Sequence, residues 1–295
     1  MHSQPHRVFS SARFAAISGN TFIGLTRLKI FYVLLLFALL LIGSSVFMAR
    51  MTFQQEFQVL KDVALGAMSL FTSLLAVLAT ARLLPQDAED RTIYTILAKP
   101  VSRFEYLAGK LSGVLTLLAV SLIAMSALFF VVLFLREQSV LSETARQMSG
   151  APAEIQAEAV RAVRTAGFNS NLFSAIAVIY LKGCVLAAVT LLVSTFASTT
   201  IFTTITMAFV YFIGHLQSIA REYWLQTNSA GWLTKTFLAV VALLFPDLQI
   251  FNLIDDAVAG TAIPLTLLLK TIGLGAFYIV FYLVVSLALF FRKEL

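Results

Sequence analysis

Between Pro85 and Lys110 the sequence reads PQDAEDRTIYTILAKPVSRFEYLAGK, placing four carboxylates (Asp87, Glu89, Asp90, Glu105) among four cations (Arg91, Lys99, Arg103, Lys110). In a chain of which only 12% is charged, this stretch is where specific polar chemistry is concentrated. The residue types do not suit catalysis. Gly109-Lys110 is followed by Leu111, so it lacks the Ser/Thr and the earlier Gly of a nucleotide-binding P-loop. No nucleophile is paired with a base in any apolar span. Of three histidines, two lie in the first six residues, which leaves His215 without a cluster to join. The chemistry that remains is helix capping and docking.

The local pattern encodes helix, break, helix. Pro85 ends an apolar run, and Asp87 can cap a short helix over about 88–98. Glu89 and Asp90 then fall in its first turn, where the macrodipole favours anions, and Lys99 falls at the opposite end. Ile93, Ile96 and Leu97 share one face. Pro100 stops the helix by disfavouring helical geometry at Lys99. Ser102-Arg103-Phe104-Glu105 reads as a capping box, Ser at N-cap and Glu at N3, that opens the next helix. A short amphipathic helix of this kind either plugs into a groove on a soluble partner or forms an elbow lying on lipid headgroups. The pattern alone supports both equally.

The elements that must hold this stretch are apolar. The chain has 295 residues, 59% of them hydrophobic, and a mean hydropathy of +0.90. Its runs of about 20 apolar residues match a hydrocarbon core about 30 Å thick. They are continuous, not alternating, which excludes a membrane β-barrel. The fold class is an all-α polytopic membrane protein. A net charge of +6 raises nucleic acid as a partner, but the cations lie mostly at span ends and form no single basic face, so the bilayer is the reading taken. Cys184 is the one cysteine and reads as a packing residue. No cleaved signal peptide is expected, because about thirty residues precede the first apolar run.

Residues 1–30 carry Arg7, Arg13, Arg27 and Lys29 and no acid, which places the N-terminus in the cytoplasm. Scattered Phe and Ile suit a helix lying in the membrane interface, against a disordered basic tail. Spans are expected over about 31–49, 63–84, 111–135, 183–198, 201–220 and 271–291, so both termini are cytoplasmic. The loop 85–110 is then cytoplasmic, and segments 136–171 and 221–262 are outer. Lys/Arg totals on the two sides are nearly equal, so the acid-free N-terminus carries the orientation. Ala153 to Ala166 has helical charge spacing and reads as a connecting cap, with a substrate site as the alternative. Lys182 interrupts an apolar run. It is expected near the outer interface, where it can snorkel, or else lining a transport path. His215 reads as an interfacial histidine. Thr236 to Phe245 is too short to cross a membrane and suits a re-entrant or buried helix.

The segment Thr92 to Lys110 resembles the signature of ABC-2 type permeases, membrane subunits of ATP-binding-cassette transporters, best in their NosY-like subgroup. The matching residues are Glu89, Thr92, Ile93, Leu97, Pro100, Val101, Ser102, Arg103, Gly109 and Lys110; Arg91 departs where the family often has Gly. Thr21 to Lys29 and Leu243 to Leu253 resemble the family more weakly. The resemblance implies that residues 1–29 form an interfacial connecting helix and that segment 221–262 holds an outer re-entrant hairpin. It implies a coupling helix contacting the ATPase through Glu89, Asp90, Arg91, Thr92, Ile93, Tyr94, Ile96 and Leu97. Two permease copies, as a homodimer, would pair with two ATPase subunits in a bacterial inner membrane. ATP and Mg would be bound by the ATPase, and no cofactor or metal by this chain.

Three functions compete. The first is a transporter subunit with ATP hydrolysis in a separate chain. The second is a non-transporting scaffold passing ATPase-driven motion to an outer accessory or envelope partner, for which outer segments of this size suffice. The third, an ATP-independent secondary transporter, needs ionisable residues facing a mid-membrane cavity, and the spans offer only Lys182. Without a charged pocket, lipid-like or apolar cargo is favoured over ions.

Overall fold

The computed structural model describes residues 10–50, 56–90, 101–226, 232, 236, 245–261 and 263–292, and among these the chain is helical with no strand. Helix α1 spans Ser11–Thr26, α2 Lys29–Arg50, α3 Glu56–Ala81 and α4 Leu83–Glu89. Then come α5 (Arg103–Gln147), α6 (Ala153–Gly167), α7 (Asn171–Phe196) and α8 (Thr200–Gln226). A 3-10 turn (Leu248–Phe251), α9 (Ile254–Ala259) and α10 (Leu265–Arg292) complete it. Among the described residues, six helical stretches, containing α2, α3, α5, α7, α8 and α10, are long and apolar enough to cross a membrane.

Helix α7 is the centre of the bundle. Its sequence is apolar all round, as a helix buried on every side must be. It packs against α3, α10, α5 and α8. The outer helices bury one face and leave the other bare: Val33, Leu36, Phe37 and Leu40 on α2, Ile205, Phe209 and Phe212 on α8, and Phe277, Val280 and Val284 on α10 are all exposed. On a soluble protein such surfaces would drive association; in a bilayer they are where lipid or another apolar helix sits.

Within lipid, apolar burial gives little net drive to helix association, so close packing and polar ties must hold the bundle. Gly109 and Gly113 on α5 form a small-xxx-small face that admits α1. A Cβ at Gly113 would fall 2.7 Å from the Ser18 carbonyl oxygen, and one at Gly109 2.9 Å from Ile17 Cγ2. Ser18 and Ser112 join hydroxyls across that contact at 3.2 Å. At the far end of α5, Arg136 pairs with Glu56 at the start of α3. Lys61 on α3 donates to the Ala166 carbonyl of α6 at 2.6 Å.

Several expectations need correction. Pro85 does not end the second span: it lies in the first turn of α4, where a missing N–H costs nothing. Asp87 and Glu89 lie at the C-terminal end of that helix, and Asp90 is its C-cap, donating to the Gln86 carbonyl at 2.9 Å. Asp87 therefore does not cap a helix starting at 88. The run PDLQIFNLIDD alternates polar and apolar residues, yet Leu248, Phe251, Leu253, Ile254 and Ala257 around it are all buried. Asp247 instead caps the 3-10 turn by accepting from Gln249 N–H at 3.1 Å. Residues Arg91, Thr92, Ile93, Tyr94, Ile96, Leu97, Lys99 and Pro100, and most of 236–245, lie outside the described residues.

Candidate functional site

The capping box at the start of α5 is formed reciprocally. Glu105 N–H donates to Ser102 Oγ at 3.1 Å, and Ser102 N–H donates to Glu105 Oε2 at 2.8 Å. The second carboxylate oxygen reaches another helix. Glu105 Oε1 accepts from the backbone N–H of Ser10, the N-cap residue of α1, at 2.6 Å, and from Arg13 Nη2 at 2.9 Å. Ser10 provides no side-chain cap of its own. One fully buried carboxylate thus terminates two helices, in the position where both macrodipoles favour an anion.

The neighbouring side chains extend the tie to two further helix ends. Arg103 Nη1 donates to the carbonyls of Phe290 and Phe291, at 2.8 and 3.0 Å, at the C-terminal end of α10 where unpaired carbonyls collect. Its guanidinium lies over both rings, 5.7 and 5.3 Å from their centroids. Tyr106 is completely buried and stacks on Phe290 at 5.9 Å. The Tyr106 hydroxyl donates to Asp87, which also pairs with Lys110 at 2.6 Å. The ends of α1, α4, α5 and α10 therefore meet in one polar knot. Asp90 and Val101 flank segment 91–100, which lies outside the described residues.

Of the residues singled out from sequence, Ser102, Arg103, Glu105 and Lys110 come together here, and Gly109 serves α1 as a close-packing position. Glu89 and Asp90 sit at the exit of α4, and neither joins the knot by a bond among the described residues. Ser10, Arg13, Asp87 in this role, Tyr106 and Phe290 were missed. Arg13 carried a signal: a cation in the first turn of a helix opposes the macrodipole unless an anion answers it. The Phe290 and Phe291 carbonyls carried none, because backbone acceptors are invisible to side-chain pattern.

Lys182 also departs from expectation. It is not an interfacial residue of a span beginning at Gly183. It is the twelfth of 26 residues of α7 and 4% exposed, inside the bundle. His215 lies against it, with 3.2 Å between Nε2 and the amine. No group of three or more His, Cys, Asp or Glu among the described residues is placed to hold a metal ion.

The family described as "ABC-2 family transporter protein" matches residues 16–295, nearly the whole chain. No curated protein matches it.

Proposed function

The chain belongs to the ABC-2 transporter family and is the membrane permease subunit of an ATP-binding-cassette transporter; from that premise we propose that segment 91–100, with Glu89 and Asp90 before it, is the coupling element that receives the stroke of a separate cytoplasmic ATPase. The observation that carries this reading is the knot around Glu105. The segment joins α4 to α5; the α4 end is bonded to α5, and the α5 start is bonded to the start of α1 and the end of α10. A displacement of the segment would thus move four helices together, two of them long enough to span.

In this mechanism ATP and Mg are held by the ATPase, and this chain supplies no reacting group. ATP-driven closure of two ATPases would push on the coupling elements of two permease copies, here read as a homodimer. The rigid capping box converts that push into tilt of α5, while Arg103 carries it to α10. The knot end is then cytoplasmic, with both termini on that side of a bacterial inner membrane. Helix α1 lies there in the interface; the outer hairpin expected over 221–262 falls in part outside the described residues. The Thr92 to Lys110 motif resembles that of the NosY-like subgroup.

Affinity-tagged chain purified from its native membrane should bring an ATPase with it; a preparation without one refutes the reading. Substituting Asp for Ile96 and Leu97 together should abolish the co-purification while the chain still inserts. The scaffold alternative draws on an open cleft of about 770 Å³ at the opposite end, lined in part by Phe57, Lys61, Phe168 and Asn169, where an accessory protein could seat. It predicts that the same purification yields an envelope protein in fixed ratio.

A further inference from the structure

The cleft of about 770 Å³ at the end of the bundle opposite the Glu105 knot lies between the start of α3, the end of α6, the start of α7 and α9. Its wall includes Phe57, Gln58, Lys61, Thr165, Phe168 and Ser170. Lys61 is the one charged side chain among the described residues that line it, and it is 2% exposed. Its amine donates to the Ala166 carbonyl at 2.6 Å, answering an acceptor left open in the last turn of α6. An ammonium has three N–H groups, and that bond uses one. No other hydrogen bond or ion pair of the amine occurs among the described residues.

The carboxylates on the surrounding elements do not answer it. Glu56 pairs with Arg136, Asp62 is exposed on α3, Glu137 lies against Gly167, and Asp255 and Asp256 are exposed on α9. None of them lines the cleft or pairs with Lys61. A buried cation with donors to spare is costly, and an anionic group entering the cleft would offset that cost. The rest of the wall favours the same occupant. Helix α7 begins here, with Ser170 and Asn171 on the wall, so the positive end of its macrodipole adds to the field of the amine. The Ser170 side chain caps nothing, and the Gln58 amide is exposed. Phe168, half exposed, gives the wall an apolar side. The volume falls within the roughly 300–1,000 Å³ of small-molecule sites, so it holds more than a bare ion.

We propose that this cleft binds an organic phosphate, its phosphoryl oxygens accepting from Lys61, Gln58 and Ser170 and its carbon body resting against Phe57 and Phe168. Charge complementarity selects the anion. Three donors on three separate residues suit the several acceptor oxygens of a phosphoryl group better than a planar carboxylate. A lipid headgroup and a soluble phosphate ester both carry this chemistry. Only the placing of the cleft on the outer face rests on the coupling reading above; the binding does not.

The test uses the full chain purified in a non-ionic detergent, with radiolabelled glycerol 3-phosphate and dioctanoyl phosphatidylglycerol as probes and dioctanoylglycerol as the uncharged control. Saturable binding of a phosphate probe is expected, with no saturable binding of the control. Lys61→Met should weaken it at least about tenfold, the worth of one charge-assisted hydrogen bond, and Lys61→Arg should retain most of it. Ala162→Trp, at an exposed position of α6 on the cleft wall, leaves the amine in place and should weaken it comparably. Binding of glycerol 3-phosphate by itself supports the site with a soluble ester as its source. Binding of phosphatidylglycerol that excess glycerol 3-phosphate does not displace supports it with a lipid headgroup as its source. Wild-type affinity in Lys61→Met, equal binding of dioctanoylglycerol, or no saturable binding of either phosphate probe each overturns the site. Should Lys61→Met not fold, the uncharged control and Ala162→Trp still decide. An envelope protein that co-purifies with the wild-type chain but not with Ala162→Trp would assign the cleft to a protein and also overturn the proposal. Loss of the ATPase from the preparation would sink the coupling reading and leave the site standing.

Discussion

Glu105 and Lys182 are both buried, at 0% and 4% exposure, yet one is held by backbone donors and a cation and the other by uncharged side chains. The carboxylate accepts from Ser102 N–H, Ser10 N–H and the Arg13 guanidinium, two backbone donors and a cation. The amine faces a hydroxyl, an imidazole nitrogen and a ring face. Removing water from a charge is repaid only when the replacement partners are well placed and complete. Glu105 meets that condition and works as a rivet. Lys182 relies on a hydroxyl and an imidazole from two neighbouring helices. The kind of partner, not the depth of burial, separates the two charges.

The comparison breaks first if Glu105 can be removed cheaply. Glu105→Ala removes the carboxylate half of the α5 capping box, leaves Ser10 N–H unanswered and takes the anion away from a partly exposed Arg13. The expected loss is about 3 kcal/mol, the lower end for breaking a buried pair, because Arg13 retains some contact with water. Size-exclusion of detergent-solubilised protein after graded heating reads it, with Phe104→Ala as the exposed neighbouring control; equal losses in the two would deny Glu105 its role. Next in size is Gly113→Val. The Ser18 carbonyl, 2.7 Å from the position of the new Cβ, is backbone and cannot yield, so about 2 kcal/mol of overpacking is expected. A Ser18→Cys, Ser112→Cys pair should cross-link readily in the parent, where the hydroxyls are 3.2 Å apart. The yield should fall when Gly113→Val is added.

The two regions differed as much in how readable they were. The capping box was legible because both its members lie within four residues and follow a local rule, and the spans were legible because bilayer thickness fixes their length. Asp87 was misassigned because a local rule was applied where a distant partner wins. Its carboxylate is claimed by Tyr106 and Lys110, about twenty residues on, and Pro85 fits inside a helix turn as easily as it ends one. Lys182 was placed at an interface on cost alone, which assumes lipid around it; two packed helices, α3 and α8, supply Ser69 and His215, and no spacing in the sequence announces that convergence.

The remaining outcomes are smaller and differ in sign. Arg103→Lys keeps the charge but loses the planar fork that bridges the carbonyls of Phe290 and Phe291, so α10 should loosen by about 1.5 kcal/mol. Heating assays and faster proteolysis near the chain's C-terminal end check it. Lys182→Met should go the other way. Methionine is close to the lysine stem in volume and carries no charge to desolvate, and replacing buried charge by packed apolar atoms is often neutral or stabilising. Heating stability should therefore be unchanged or raised by up to about 1 kcal/mol, at the weak end of the gains seen when buried ions are replaced. A Lys182→Met protein less stable than wild type would mean that the Ser69 and His215 contacts already satisfy the amine, and the contrast with Glu105 would be lost.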